Sequence, residues 1–129
     1  MFTDTHCHLT LLDLAPYGGD LDLALEQARK AGVSRFMSIS VDLDDHIQLA
    51  AIAARHADVG YSVGVHPCED PATMARATTD YLVELAQPEK VWALGETGLD
   101  YFHSTDFIQE QKECFARHIH ASQIVKKPV

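Results

Sequence analysis

Four short apolar runs, each followed by a segment of helical spacing, constrain this chain more than any other feature. They lie at residues 2–5, 36–41 (F-M-S-I-S-V), 59–65 (V-G-Y-S-V-G-V) and 91–94 (V-W-A-L). The later three have the length and the β-branched and aromatic content of strands. The first is too short for periodicity and reads as a buried strand leading into a loop. Asp20 is a good N-cap for a helix carrying Leu21, Ala24, Leu25, Ala28 and Ala31, with Gly32 at its C-terminal end. Asp42 is expected to cap a second helix with Ile47, Ala50, Ala51 and Ala54 as its apolar stripe. Asp70 and Pro71 open a third, in which Met74, Thr78, Tyr81, Leu82 and Leu85 share a face. A fourth runs over about residues 107–125, with Ile108, Gln111, Phe115, Ile119 and Ser122 on one side.

Alternating strands and helices imply parallel strands joined by right-handed crossovers. The strand starts recur at intervals near the roughly 30 residues per unit of a (β/α)8 TIM-type barrel. The fold expected is therefore α/β, a barrel of which this chain supplies the first four β-α units and, at Pro128-Val129, the start of strand five. Residues 1–129 read as one domain. A doubly wound open sheet is the alternative, but no glycine-rich phosphate loop of either standard spacing follows any strand.

Charge narrows the partners. With 19 acidic against 10 basic residues the formal net charge is −9, and only Lys126-Lys127 concentrates positive charge. Such a surface repels phosphate backbones, so any phosphate chemistry needs bound cations. The start carries no basic stretch followed by an apolar run, and no segment approaches the roughly 18 apolar residues that span a bilayer. The reading is a cytoplasmic protein with no membrane partner. Cys7, Cys68 and Cys114 are far apart and lack C-x-x-C spacing, which favours reduced thiols over disulfides or a zinc cluster.

The chemistry gathers at the strand ends. His6 and His8 close the first run, two residues apart, so an extended backbone points both imidazoles the same way. His66 follows the third run and Glu96 the fourth. In a parallel barrel these ends share the face where active sites lie. An unpaired carboxylate at an apolar barrel mouth is costly, and a metal partner relieves that cost. Two imidazoles and a carboxylate make an open site for a divalent cation. A carboxylate can also bridge two cations, and the residues alone leave one metal or two open.

D-T-H-C-H-L at 4–9, G-V-H-P at 64–67 and G-E-T-G-L-D-Y at 95–101, in this order and spacing, resemble the TatD family of metal-dependent deoxyribonucleases within the amidohydrolase superfamily. Gln111, Phe115 and K-P-V at 127–129 fit the same pattern. The resemblance implies that His6, His8 and Glu96 bind a divalent metal, with Glu96 bridging to a second. It implies that His66 contacts the scissile phosphate or donates a proton, so that His66 and Glu96 are the catalytic candidates. It implies that Asp100 and Tyr101 shape the loop beside the metals. The reaction implied is hydrolysis of DNA phosphodiester bonds by a metal-activated water, with Mg2+ first and Zn2+ or Mn2+ as alternatives. An amidohydrolase-like enzyme acting on another ester or amide is the alternative reading.

The family pattern continues past K-P-V with two further strand-end histidines and a late aspartate, which lie outside these 129 residues. The chain is therefore expected to be the N-terminal half of such an enzyme, a partial gene product or an incomplete sequence. The competing expectation is an inactive half-barrel that associates with itself or with a missing half. His46, His56, His118 and His120 read as surface residues, His103 as open between site and solvent, and Cys7 as a small buried hydrophobe behind the histidines.

Overall fold

The computed structural model describes residues 1–103 and 105–129. Among them, four strands form one parallel sheet: β1 (Phe2–Cys7), β2 (Val33–Ser38), β3 (Val59–Val63) and β4 (Val91–Leu94). The spatial order equals the chain order, β1-β2-β3-β4. Right-handed crossovers between sequential neighbours put every connecting helix on the same face of the sheet. A doubly wound sheet would reverse its order part-way, and this one does not. The arrangement is half of a TIM-type barrel, with helices outside and the other face of the sheet lining the interior. The Leu94 N–H donates to the Pro128 carbonyl at 2.9 Å, so the last residues lie along the free edge of β4.

The helices are α1 (Leu21–Lys30), α2 (Asp45–Arg55), α3 (Pro71–Arg76), α4 (Thr79–Leu85) and α5 (Ile108–Val125), with a 3-10 turn at Ala15–Tyr17. α1 packs on β2, α2 on β3 and α5 on β4, enclosing a core of Leu25, Leu49, Val59, Tyr61, Val63, Leu82, Val91 and Leu94. β3 is buried along its whole length, as a central parallel strand should be. β1 is an edge strand and mostly exposed, contrary to the buried strand expected. Phe2 retains 69% of its accessible surface.

Three further expectations need correction. The third helix is two helices: the Thr78 hydroxyl accepts the N–H of Tyr81 and starts α4, while Arg117 on α5 donates to the carbonyls of Met74 and Ala77 at the break. A threonine that can cap competes with continuing the helix. α2 begins three residues after Asp42, whose carboxylate instead accepts the N–H groups of Asp44 and Asp45. Within α2 the buried face is Leu49, Ile52 and Ala53, and Ile47 is exposed. The inward side of α5 is Gln111, Cys114, His118 and Ala121, and Ile119 faces solvent.

Candidate metal centre

β1 runs through His6, and its hydrogen bonding to β2 continues past the strand end, where the Ile39 N–H donates to the Cys7 carbonyl. The Cys7 thiol donates to the Met37 carbonyl. Cys7 is half-buried, and burial with the nearby Asp4 carboxylate pushes its pKa up to about 12. It is inert packing between β1 and β2. The Ser38 hydroxyl accepts the N–H of Leu9 and pins the chain just after His8.

Glu96 comes from the end of β4. Its N–H donates to the Ser40 carbonyl, and the Gly95 N–H donates to Val63. The Ser62 hydroxyl donates to the Gly95 carbonyl while accepting the N–H of Ser40, and the Ser40 hydroxyl donates to the Asp42 carbonyl with the Gly64 carbonyl close by. Ser38, Ser40 and Ser62 are fully buried and tie the ends of the strands into one lattice. Gly64 makes its closeness possible: a Cβ there would lie 2.6 Å from the Gly95 Cα.

This frame brings the three predicted histidines onto the carboxylate of the fourth predicted residue, Glu96. Glu96 Oε2 lies 3.4 Å from His6 Nε2 and 3.6 Å from His8 Nε2, and Oε1 lies 3.8 Å from His66 Nε2. Ligands about 2.1 Å from a shared ion stand roughly 3–3.5 Å apart, so His6, His8 and Glu96 fit a divalent cation with little rearrangement. The two flanking imidazoles are held differently. His8 Nδ1 sits 3.1 Å from the Ile39 carbonyl, which places its proton on Nδ1 and turns the Nε2 lone pair to Glu96. A metal-binding histidine is commonly fixed in this way. His66 Nδ1 accepts the N–H of Cys68, so a neutral ring carries its proton on Nε2 and presents a donor. His6 and Glu96 stand at the rim of a concave pocket of about 300 Å³ on the interior face, floored by Met37, Ile39 and Ala93.

Of Asp100 and Tyr101, expected to shape the loop beside the metals, Asp100 does organise that loop through hydrogen bonds to its neighbours. The Asp100 carboxylate accepts from Phe102, His103 and Cys68, and Tyr101 is exposed. His103 thus turns to Asp100. His118 is no surface residue: it is fully buried, accepting the N–H of Val65 on Nε2 and donating from Nδ1 to the Cys114 carbonyl. It supports the strand end that delivers His66. His56 is also largely covered, beside Asp22 and Arg29. Sequence reasoning missed the three serines and His118. Their signal was polar side chains set within otherwise apolar strand and helix faces, which burial obliges to find partners.

A family model described as TatD related DNase matches residues 3–129. The chain belongs to that family. It is 34% identical over 128 residues to the uncharacterized metal-dependent hydrolase YcfH of Escherichia coli K12, covering 98% of this chain and 46% of that protein. It is 31% identical over 106 residues to the 3'-5' ssDNA/RNA exonuclease TatD of Dickeya dadantii, covering 81% and 40%. The crystal structure of the TatD homologue YjjV from E. coli K12 superposes with a TM-score of 0.78 at 25% identity, over 99% of this chain and 49% of that one. The chain spans about half the length of the curated relatives it matches.

Proposed function

We propose that His6, His8 and Glu96 hold a divalent cation in a hydrolase that cleaves phosphodiester bonds of DNA, and that His66 serves the phosphate. One observation carries the proposal: the Glu96 carboxylate is divided, with Oε2 facing two imidazoles and Oε1 facing a third that is set as a donor. A bound divalent ion, Mg2+ in the first instance, supplies water activation and charge stabilisation in such hydrolysis. The chain's own groups do the rest. His8 is held in register by Ile39, Glu96 would supply a carboxylate oxygen to the ion, and His66, whose Nε2 lies 3.8 Å from Glu96 Oε1, stands near enough to that ion to serve a phosphate bound to it. The nuclease name of the Dickeya relative supports a nucleic-acid substrate, and the net charge of −9 makes cations the means of holding it.

The test is Mn2+ binding to the 129-residue chain, followed by cleavage of single-stranded DNA in Mg2+ or Mn2+. His6→Ala and Glu96→Gln are expected to abolish binding, and His66→Gln to spare binding and reduce cleavage. Unchanged binding in both of the first two variants overturns the metal assignment. Turnover of small phosphoesters or cyclic amides in place of DNA overturns the substrate. Binding without cleavage assigns this chain the metal-holding part of the reaction alone.

A further inference from the structure

A second group of ligating side chains stands beside the first and shares none of its residues. Cys68 lies on the loop after β3; Asp100 and His103 lie on the loop after β4. Their donor atoms, one sulfur, one oxygen and one nitrogen, lie within 4.8 Å of one another. Asp100 Oδ2 is the centre: the Cys68 Sγ is 3.2 Å away and His103 Nδ1 is 2.7 Å away. Asp100 Oδ1 accepts the N–H groups of Phe102 and His103, which fixes the carboxylate plane.

The trio is exposed or half-exposed, yet it hangs from a buried anchor. Gln111 on α5, 2% exposed, accepts the Asp100 N–H at 2.9 Å and donates to the Asp100 carbonyl at 2.9 Å. A buried amide spending both ends on one surface residue preorganises that residue. We propose that Cys68, Asp100 and His103 form a second cation site, selective for a soft divalent ion of the zinc class, with a fourth position open to water. Sulfur, imidazole and carboxylate suit Zn2+, whereas Mg2+ prefers oxygen ligands. The site therefore differs in kind from the His6, His8 and Glu96 centre and does not rest on the hydrolase reading. Binding replaces the thiol proton with the ion and releases that proton to solvent. Because the Cys68 N–H also holds His66 Nδ1, occupancy at 68 stiffens the loop that presents His66.

Co2+, a spectroscopic stand-in for Zn2+, tests this on the full chain without reference to catalysis. Wild type should show a thiolate-to-cobalt charge-transfer band that saturates on titration, is abolished by Zn2+ and survives excess Mg2+. Cys68→Ser should remove the band, while Asp100→Asn and His103→Gln should each weaken Co2+ binding roughly tenfold or more. Glu96→Gln, which disables the first centre, should leave the band intact. Cys68 is exposed, so its serine variant is expected to keep the wild-type circular dichroism. Absence of the band in wild type, its survival in Cys68→Ser, or its full strength in both Asp100→Asn and His103→Gln would overturn the proposal.

Discussion

His118 occupies a position on α5 where an apolar residue would ordinarily sit, and both of its ring nitrogens are used. His118→Phe keeps the volume but strands the Val65 N–H in the core. The expected loss is about 1–3 kcal/mol in urea unfolding, typical of an unsatisfied buried donor. Burial also lowers the His118 pKa from its ordinary value of 6.5. The unfolded chain then binds the proton more readily than the folded one, so this contribution is complete above that value and is lost as pH falls below it. Wild type should lose more stability between pH 8 and pH 5 than His118→Phe does; equal slopes would remove His118 as the source. Ser62→Ala should likewise leave the Ser40 N–H without its acceptor and weaken Mn2+ binding about 10- to 100-fold, because Glu96 is hung from the same hydroxyl.

Among the elements, the junction of β3 and β4 has the least tolerance. Gly64→Ala would drive a methyl group into the Gly95 backbone. Overpacking of this kind costs typically 1–3 kcal/mol. It should also lower metal affinity, since Glu96 follows Gly95 directly; a variant with wild-type Mn2+ affinity and melting temperature would refute the close packing. The α3–α4 break is held from outside by Arg117, whose guanidinium joins the carbonyls of Met74 and Ala77. Arg117→Met should therefore destabilise by about 1–3 kcal/mol, read from the denaturation midpoint. The caps at Asp20 and Asp70 were legible beforehand, because each is a local contact between a carboxylate and N–H groups two or three residues on. The break at Thr78 was not, since the same threonine fits a helix face as well as a cap.

Across the whole molecule, the sequential strand order leaves the interior face of the sheet free of helices and lined by Thr5, Met37, Ile39 and Ala93 below the rim residues His6 and Glu96. No helix among the described residues is long and apolar enough to cross a membrane. A cation that binds only the folded chain must stabilise it. At about a hundred times its dissociation constant the gain is ~2.7 kcal/mol. Adding Mn2+ should thus raise the melting temperature of wild type, EDTA should reverse the rise, and Glu96→Gln should show little change. A rise of equal size in Glu96→Gln would place the ion elsewhere.

The parallel β-α order, the half-barrel and the convergence of His6, His8, His66 and Glu96 were all determined by the sequence, because they depend on local periodicity and on which residue ends each strand. A two-residue alternation or a strand-end position survives small errors in boundaries. Which face of α2 and α5 turned inward, the burial of His118, the serine lattice beneath Glu96 and the meeting of Cys68 with Asp100 and His103 were decided only by the tertiary structure. These depend on partners 22 to 53 residues away along the chain. A buried polar group is allowed where a distant backbone amide or carbonyl meets it, and hydropathy along the chain carries no record of that partner.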